Sequence, residues 1–145
     1  MRKKPRVFLD TNIWFSAYYG SAYCATLVTA HLQGILCAVI SQQVLEEITR
    51  NMQKKLPKAL PDFERLIINN PPEVVVSPST IPQSIQLLVD AKDQHIFASA
   101  MSADVLYFVT GNTKDFFVGK LEELTGIKIV KPKEAVEILD LERKI

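Results

Sequence analysis

Short, unbroken apolar runs alternate along the whole chain with longer stretches of helical period, and few folds accommodate that order. The runs at residues 6–9, 35–40, 73–76, 105–109 and 127–130 read as strands, and the run 35–40 is too short for a helix and too unalternated for a strand with one wet face. Strands covered on both faces look like this, and they belong to parallel sheets. Between them lie apolar residues at helical spacing. Cys24, Leu27, Val28 and Leu32 predict a helix over residues 21–33 that ends at Gly34, and Val44, Leu45, Ile48, Met52 and Leu56 one that Ser41 caps and Pro57 stops. Further helices are expected over residues 62–70 and 82–89, from Asp93 through Ala103, over 114–124 with a break at Gly119, and from Pro132 to about Leu141. Parallel strands need helix-length, right-handed crossovers. The expected fold is therefore α/β: a three-layer sandwich with a central, mainly parallel sheet of about five strands, in a single domain over residues 1–145.

Composition removes several classes of function. With 145 residues, 48% hydrophobic and 23% charged, the chain has the balance of a globular protein rather than of a disordered, collagenous or coiled-coil one. No apolar run approaches the roughly 18–20 residues of a membrane span, so no membrane is expected. Residues 1–5 begin like a signal peptide, but Asp10, Asn12 and Trp14 interrupt the apolar stretch that should follow. Cys24 and Cys37 form no close pair, which fits thiols in a reducing cytoplasm. With the distant His31 and His95 they offer no zinc spacing. Seventeen Lys and Arg against sixteen Asp and Glu give a net charge of +1, so bulk charge names no partner.

In a doubly wound sheet the useful crevice lies beyond the carboxyl ends of the strands. Four acids fall there: Asp10 after the first strand, Glu47 early in the helix after the second, Asp93 at the start of the helix feeding the fourth, and Asp115 after the fourth. Glu47 lies deeper along its helix and needs its longer arm, because helical side chains tilt back toward the N-terminus. Two like charges about 4 Å apart repel by on the order of 4 kcal/mol at an effective dielectric of 20. A cluster of four is tolerable only with a cation or with some acids protonated. An all-oxygen, carboxylate-rich donor set suits Mg²⁺ or Mn²⁺, and the chemistry it implies is phosphodiester hydrolysis.

The residues around these acids carry a resemblance. Leu9-Asp10-Thr11-Asn12, the run from Ser41 to Ile48, the run from Lys92 to Ala100 and the run from Val109 to Phe116 resemble, in order, the four motif blocks of the PIN-domain family. The resemblance spans most of the chain, from Val7 to about Pro132. It implies a PIN fold and a divalent-metal-dependent endoribonuclease that uses Mg²⁺ or Mn²⁺. Such proteins are often the toxin of a VapC-type toxin–antitoxin pair, with RNA as substrate and an antitoxin protein as partner. Carried across, Asp10, Glu47, Asp93 and Asp115 are the catalytic and metal-binding acids, and Thr11, Asn12, Thr110 and Asn112 support them. Many family members place an acid where Asn112 stands. Others have Asn there and an Asp three residues on, and this chain resembles the second pattern. Asp90 resembles an acid that one PIN subgroup has just before the third block; its other reading is a turn cap.

Each residue also has a plainer reading. Asp10 and Asp93 stand where helix caps belong, and Glu46, four residues before Arg50, makes an ordinary surface pair. His95 reads as a solvated helix residue, because carboxylate–metal hydrolysis needs no imidazole. Lys92 and Lys114 flank proposed ligands and are placed to meet phosphates. Arg2, Lys3, Lys4 and Arg6 begin at the opposite sheet edge. The stretch 14–23, with Trp14, Phe15, Tyr18, Tyr19 and Tyr23, has the composition of an interface core; a symmetric homodimer is expected, with core packing as the other use. Two competing functions remain in view: a catalytically inactive PIN-like protein-interaction module, and a phospho-accepting receiver. The second fails because Ser77-Pro78, not an accepting Asp, follows the third strand.

Overall fold

Val7, Phe8 and Leu9 are shielded on both faces, and this fixes β1 (Arg6–Leu9) at the middle of the sheet. The computed structural model describes residues 4–145, so Arg2 and Lys3 lie outside the described residues. On one side β1 pairs with β2 (Cys37–Ser41), which pairs with the edge strand β3 (Glu73–Val75); on the other it pairs with β4 (Tyr107–Val109), which pairs with β5 (Lys128–Val130). All four pairings are parallel, and the order is β3-β2-β1-β4-β5. β1, β2 and β4 are thus short, doubly covered runs, as the continuous apolar sequence predicts, whereas the edge strand β3 exposes Glu73 and Val74. A receiver of the flavodoxin-like type sets its third strand beside its first; here β3 is an edge strand beside β2.

The chain moves outward from β1 to β3, then returns to the far side of β1 for β4 and β5. Right-handed crossovers then divide the helices between the two faces. α1 (Thr11–Tyr19), α2 (Ala22–Leu32), α3 (Gln42–Lys55) and α4 (Leu60–Asn69) pack together on one face. α5 (Gln83–Gln86) and α6 (Gln94–Ser102) cover the other, with α6 against β2 and β3. α7 (Val118–Thr125) leads into β5, and α8 (Pro132–Ile138) and α9 (Leu141–Lys144) return to α2. The result is a three-layer α/β sandwich. Phe97, Phe108 and Phe116 form one aromatic cluster, with ring centroids 5.3–5.9 Å apart. Among the described residues no helix is long and apolar enough to cross a membrane.

Local chemistry explains the element ends that shape the site. Asp10 caps α1, and Gly20 ends it at φ 118°, a conformation that residues with a Cβ avoid. Ser41 Oγ accepts from Val44 N at 3.1 Å, so the last residue of β2 also caps α3. The helix expected over residues 114–124 divides earlier than Gly119. A single 3₁₀ turn, Thr113–Asp115, is followed by extended Phe116, which bridges to Val89, and Gly119 then sits inside α7. The last predicted helix also divides, at Asp140 with φ 53°. Trp14 belongs to the core: it is fully buried, its Nε1 donates to Leu9 O at 3.0 Å, and its ring meets Phe63 edge-on. Phe15 and Tyr18 are half-buried, while Tyr19 is 70% exposed and Tyr23 is also exposed.

Candidate active site

Sheet order reverses between β1 and β4, and beyond their carboxyl ends lies a cleft of about 400 Å³. Asp10, Glu47, Asp93 and Asp115 all line it, together with Thr11, Asn12, Thr110, Asn112 and Lys92. Four segments far apart in sequence therefore converge here.

Asp10 is held from both strands. Its backbone N–H donates to Val109 O at 3.0 Å, its Oδ1 accepts from Thr11 N at 2.7 Å, and its Oδ2 accepts from Thr110 Oγ1 at 3.0 Å. The helix-cap reading is thus true of Asp10, and the same carboxylate also faces the cleft. Burial pushes its pKa up and the charge of Glu47 adds to the rise; Thr11, Thr110 and Lys92 oppose it. Thr110 in turn accepts from Asn112 N at 3.2 Å, and Asn12 Oδ1 accepts from Gly111 N at 3.4 Å, so the two strand exits are laced together.

Glu47 reaches in from α3. Its Oε2 accepts from Thr11 Oγ1 at 2.9 Å and its Oε1 from Gln43 Nε2 at 3.3 Å. Its neighbour Glu46 is exposed and accepts from Gln42 at 3.3 Å; that contact, rather than the expected pair with Arg50, occupies it. Asn51, one turn beyond Glu47, also lines the cleft, as do Phe15 and Ile96. The i, i+4 spacing from Glu47 was the signal that could have found Asn51.

Asp93 stands at the start of α6 but makes no capping bond, and its Oδ2 is buried with no hydrogen-bond partner. Its pKa is pushed up to about 6. Burial is the first cause, followed by a hydrogen bond with Asp115 and the charges of Asp10 and Asp115, with Lys92 opposing. Asp115 is driven the other way: Lys92, whose Nζ lies 3.0 Å from Oδ2, holds its carboxyl below the usual range. Asn112 Nδ2 donates to the same oxygen at 2.5 Å. Asn112 therefore positions an acid and adds no charge of its own. Asp90 and Lys114 lie outside the cleft, in an adjoining depression. Asp90 caps the Ala91–Asp93 turn through Lys92 N at 3.3 Å, and His95 is exposed.

Four carboxylates with one orphaned buried oxygen form a hard, oxygen-only donor set of the kind that takes Mg²⁺ or Mn²⁺. Among the described residues no three acids are already drawn into a ligand cage. The reason is local: Glu47 is turned to Thr11 and Gln43, and Asp115 to Lys92.

The family model for the PIN domain matches residues 6–114, three of the four acids included; Asp115 is the next residue. Among curated proteins nothing matches. A solved structure, that of VapBC2 from Rickettsia felis bound to a DNA fragment from its promoter, aligns over 87% of this chain and 98% of that chain. The TM-score is 0.57 and the identity 16%, a likeness of fold.

Proposed function

The chain belongs to the PIN-domain family, and from that premise we propose that it is a divalent-metal-dependent endoribonuclease, hydrolysing RNA phosphodiester bonds as the toxin of a toxin–antitoxin pair. We place it in the cytoplasm, as a single domain over residues 1–145 that pairs as a homodimer. The observation that carries the proposal is Asp93 Oδ2, a buried carboxylate oxygen without a donor among three other acids. Leaving such an acceptor unsatisfied costs about 1–3 kcal/mol. A cation is the partner that would relieve it.

Asp10, Glu47, Asp93 and Asp115 would hold Mg²⁺ or Mn²⁺. When bound, the ion supplies charge neutralisation and Lewis acidity toward a phosphate oxygen and eases the activation of water. The chain's own residues do the rest. Thr11 and Thr110 fix the carboxylates of Glu47 and Asp10 through their hydroxyls. Asn112 steadies Asp115. Lys92, which lines the cleft beside Asp115, would meet the substrate phosphate with its ammonium.

The test is cleavage of a labelled single-stranded RNA by the purified protein in Mn²⁺, in Mg²⁺ and in chelator. Cleavage that needs the ion and is lost in Asp93→Asn supports the proposal; no cleavage with either ion overturns it. The other reading, an inactive interaction module, draws on the Lys92–Asp115 ion pair that occupies one acid, and the same assay decides between them.

A further inference from the structure

Beside the carboxylate cleft, and sharing Asp115 with it, lies a depression of about 270 Å³. Its wall carries Phe117, 64% exposed, and Leu87, 73% exposed, with Lys114 at the rim. A single exposed apolar residue means little, since much of any protein surface is apolar. This one is different in how it is held.

The backbone runs 88–90 and 115–117 are zipped together. Asp90 N donates to Asp115 O at 2.9 Å, Phe117 N donates to Leu88 O at 3.0 Å, and Val89 and Phe116 form an antiparallel bridge between them. Phe116 fills the interior, only 7% exposed, so Phe117 is left outward by the alternation of an extended backbone. Its backbone carbonyl also accepts the N–H of Leu121, tying it to α7. An aromatic ring on a fixed backbone at the water boundary loses little freedom on binding. Lys114 takes part in no ion pair among the described residues. The one acid of the depression outside the cleft, Asp90, already accepts from Lys92 N.

We propose that this depression is a nucleotide subsite, in which one base of a single-stranded RNA stacks on Phe117 while Lys114 takes the adjoining phosphate. A duplex cannot use it, because a paired and stacked base has no free face to offer. The inference rests on the proposed ribonuclease reading for its substrate. It adds where the strand lies: over the Asp115 wall of the cleft, rather than over Glu47.

Binding of a fluorescein-labelled decauridylate in EDTA, where no cleavage occurs, tests it. Base–aromatic stacking is worth about 1–3 kcal/mol by alanine substitution, so Phe117→Ala should weaken binding about tenfold, with an unchanged melting temperature because the ring is exposed. Phe117→Leu should lose as much, Phe117→Trp should restore it, and Lys114→Ala should weaken it and flatten the salt dependence. Unchanged binding in Phe117→Ala, equal binding by Phe117→Leu and wild type, or no oligonucleotide binding by the wild type overturns the subsite. If the first of these outcomes holds while metal-dependent cleavage persists, the subsite falls and the ribonuclease reading stands, the patch then being a surface for a protein partner. If Phe117 governs binding but no ion supports cleavage, the reverse is true.

Discussion

Lys92 and Asp93 are adjacent in sequence and stand in opposite relations to Asp115: the ammonium of Lys92 lies 3.0 Å from Asp115 Oδ2 and holds its carboxyl low, while the charges of Asp115 and Asp10 help to raise that of Asp93. The Lys92 ammonium thus offsets part of the repulsion among the acids. Lys92→Met should therefore tighten Mn²⁺ binding several-fold, since the ion no longer displaces an ammonium, and weaken binding of single-stranded RNA in chelator. Calorimetric titration with Mn²⁺ checks the first part. An unchanged dissociation constant means that Lys92 does not compete.

Asp10→Asn and Asp93→Asn should each reduce cleavage by about a hundredfold or more, the scale on which a principal electrostatic contact is lost. Neither should lower the melting temperature in chelator. Both acids have their pKa raised by burial, so a neutral amide of equal size removes repulsion. Full activity in either variant would sink the assignment.

The pH dependence has a definite sign. Burial pushes the folded-state pKa of Asp93 up to about 6 from the ordinary 3.8, so between these values the folded state holds more protons than the unfolded one. Its contribution to stability is complete below about pH 4 and is lost as pH rises through about 6. Asp10 acts in the same direction. Asp115, lowered, acts in the opposite one, losing its contribution as pH falls. In chelator, urea midpoints from about pH 4 to about pH 7 should fall more for wild type than for Asp93→Asn. Parallel curves would remove Asp93 as the cause. At neutral pH, Mn²⁺ at a hundred times its dissociation constant should add about 2.7 kcal/mol of stability over the chelated protein.

Glu47→Gln should cripple cleavage and Glu46→Gln should leave it intact. Glu46 is exposed and touches only Gln42 across one helical turn, a contact worth a few tenths of a kcal/mol. The opposite result would place the acid of the second block one residue earlier.

Assembly is checked by light scattering, which should give about twice 16.3 kDa. Tyr19, 70% exposed and stacked on Phe15, and Tyr23 are the aromatics available to an interface. Tyr19→Glu should shift the protein toward monomer, whereas a monomeric wild type would free that surface for another partner.

What sequence reveals about this chain follows from which features are local. The inner strands β1, β2 and β4 are legible because double burial leaves an unbroken apolar run, and Asp10 because it follows a strand end directly. Lys92 and Lys114 look alike in sequence, each beside an acid, yet only Lys92 faces the cleft; the Thr113–Asp115 turn carries Lys114 to the far side of Asp115. The break in the segment after β4 is set by a tertiary contact, the bridge of Phe116 to Val89, and a glycine nearby drew the expectation to the wrong residue. Trp14 could be core or interface by composition, and the carbonyl of Leu9 decides it. The turning of Glu47 to Thr11 depends on two helices meeting and has no trace in either one.

The bond between Thr110 and Asp10 spans 100 residues of sequence. A ribosome making this chain completes β1 first, yet β1 waits for β4 before its far edge is paired and before Asp10 gains its hydroxyl partner. Until residues 107–115 have emerged and docked, the nascent chain holds Asp10 and Glu47 without Asp115. For a chain proposed to cut RNA, that order of birth leaves the cutting centre unassembled until the β4 segment has been made and has docked.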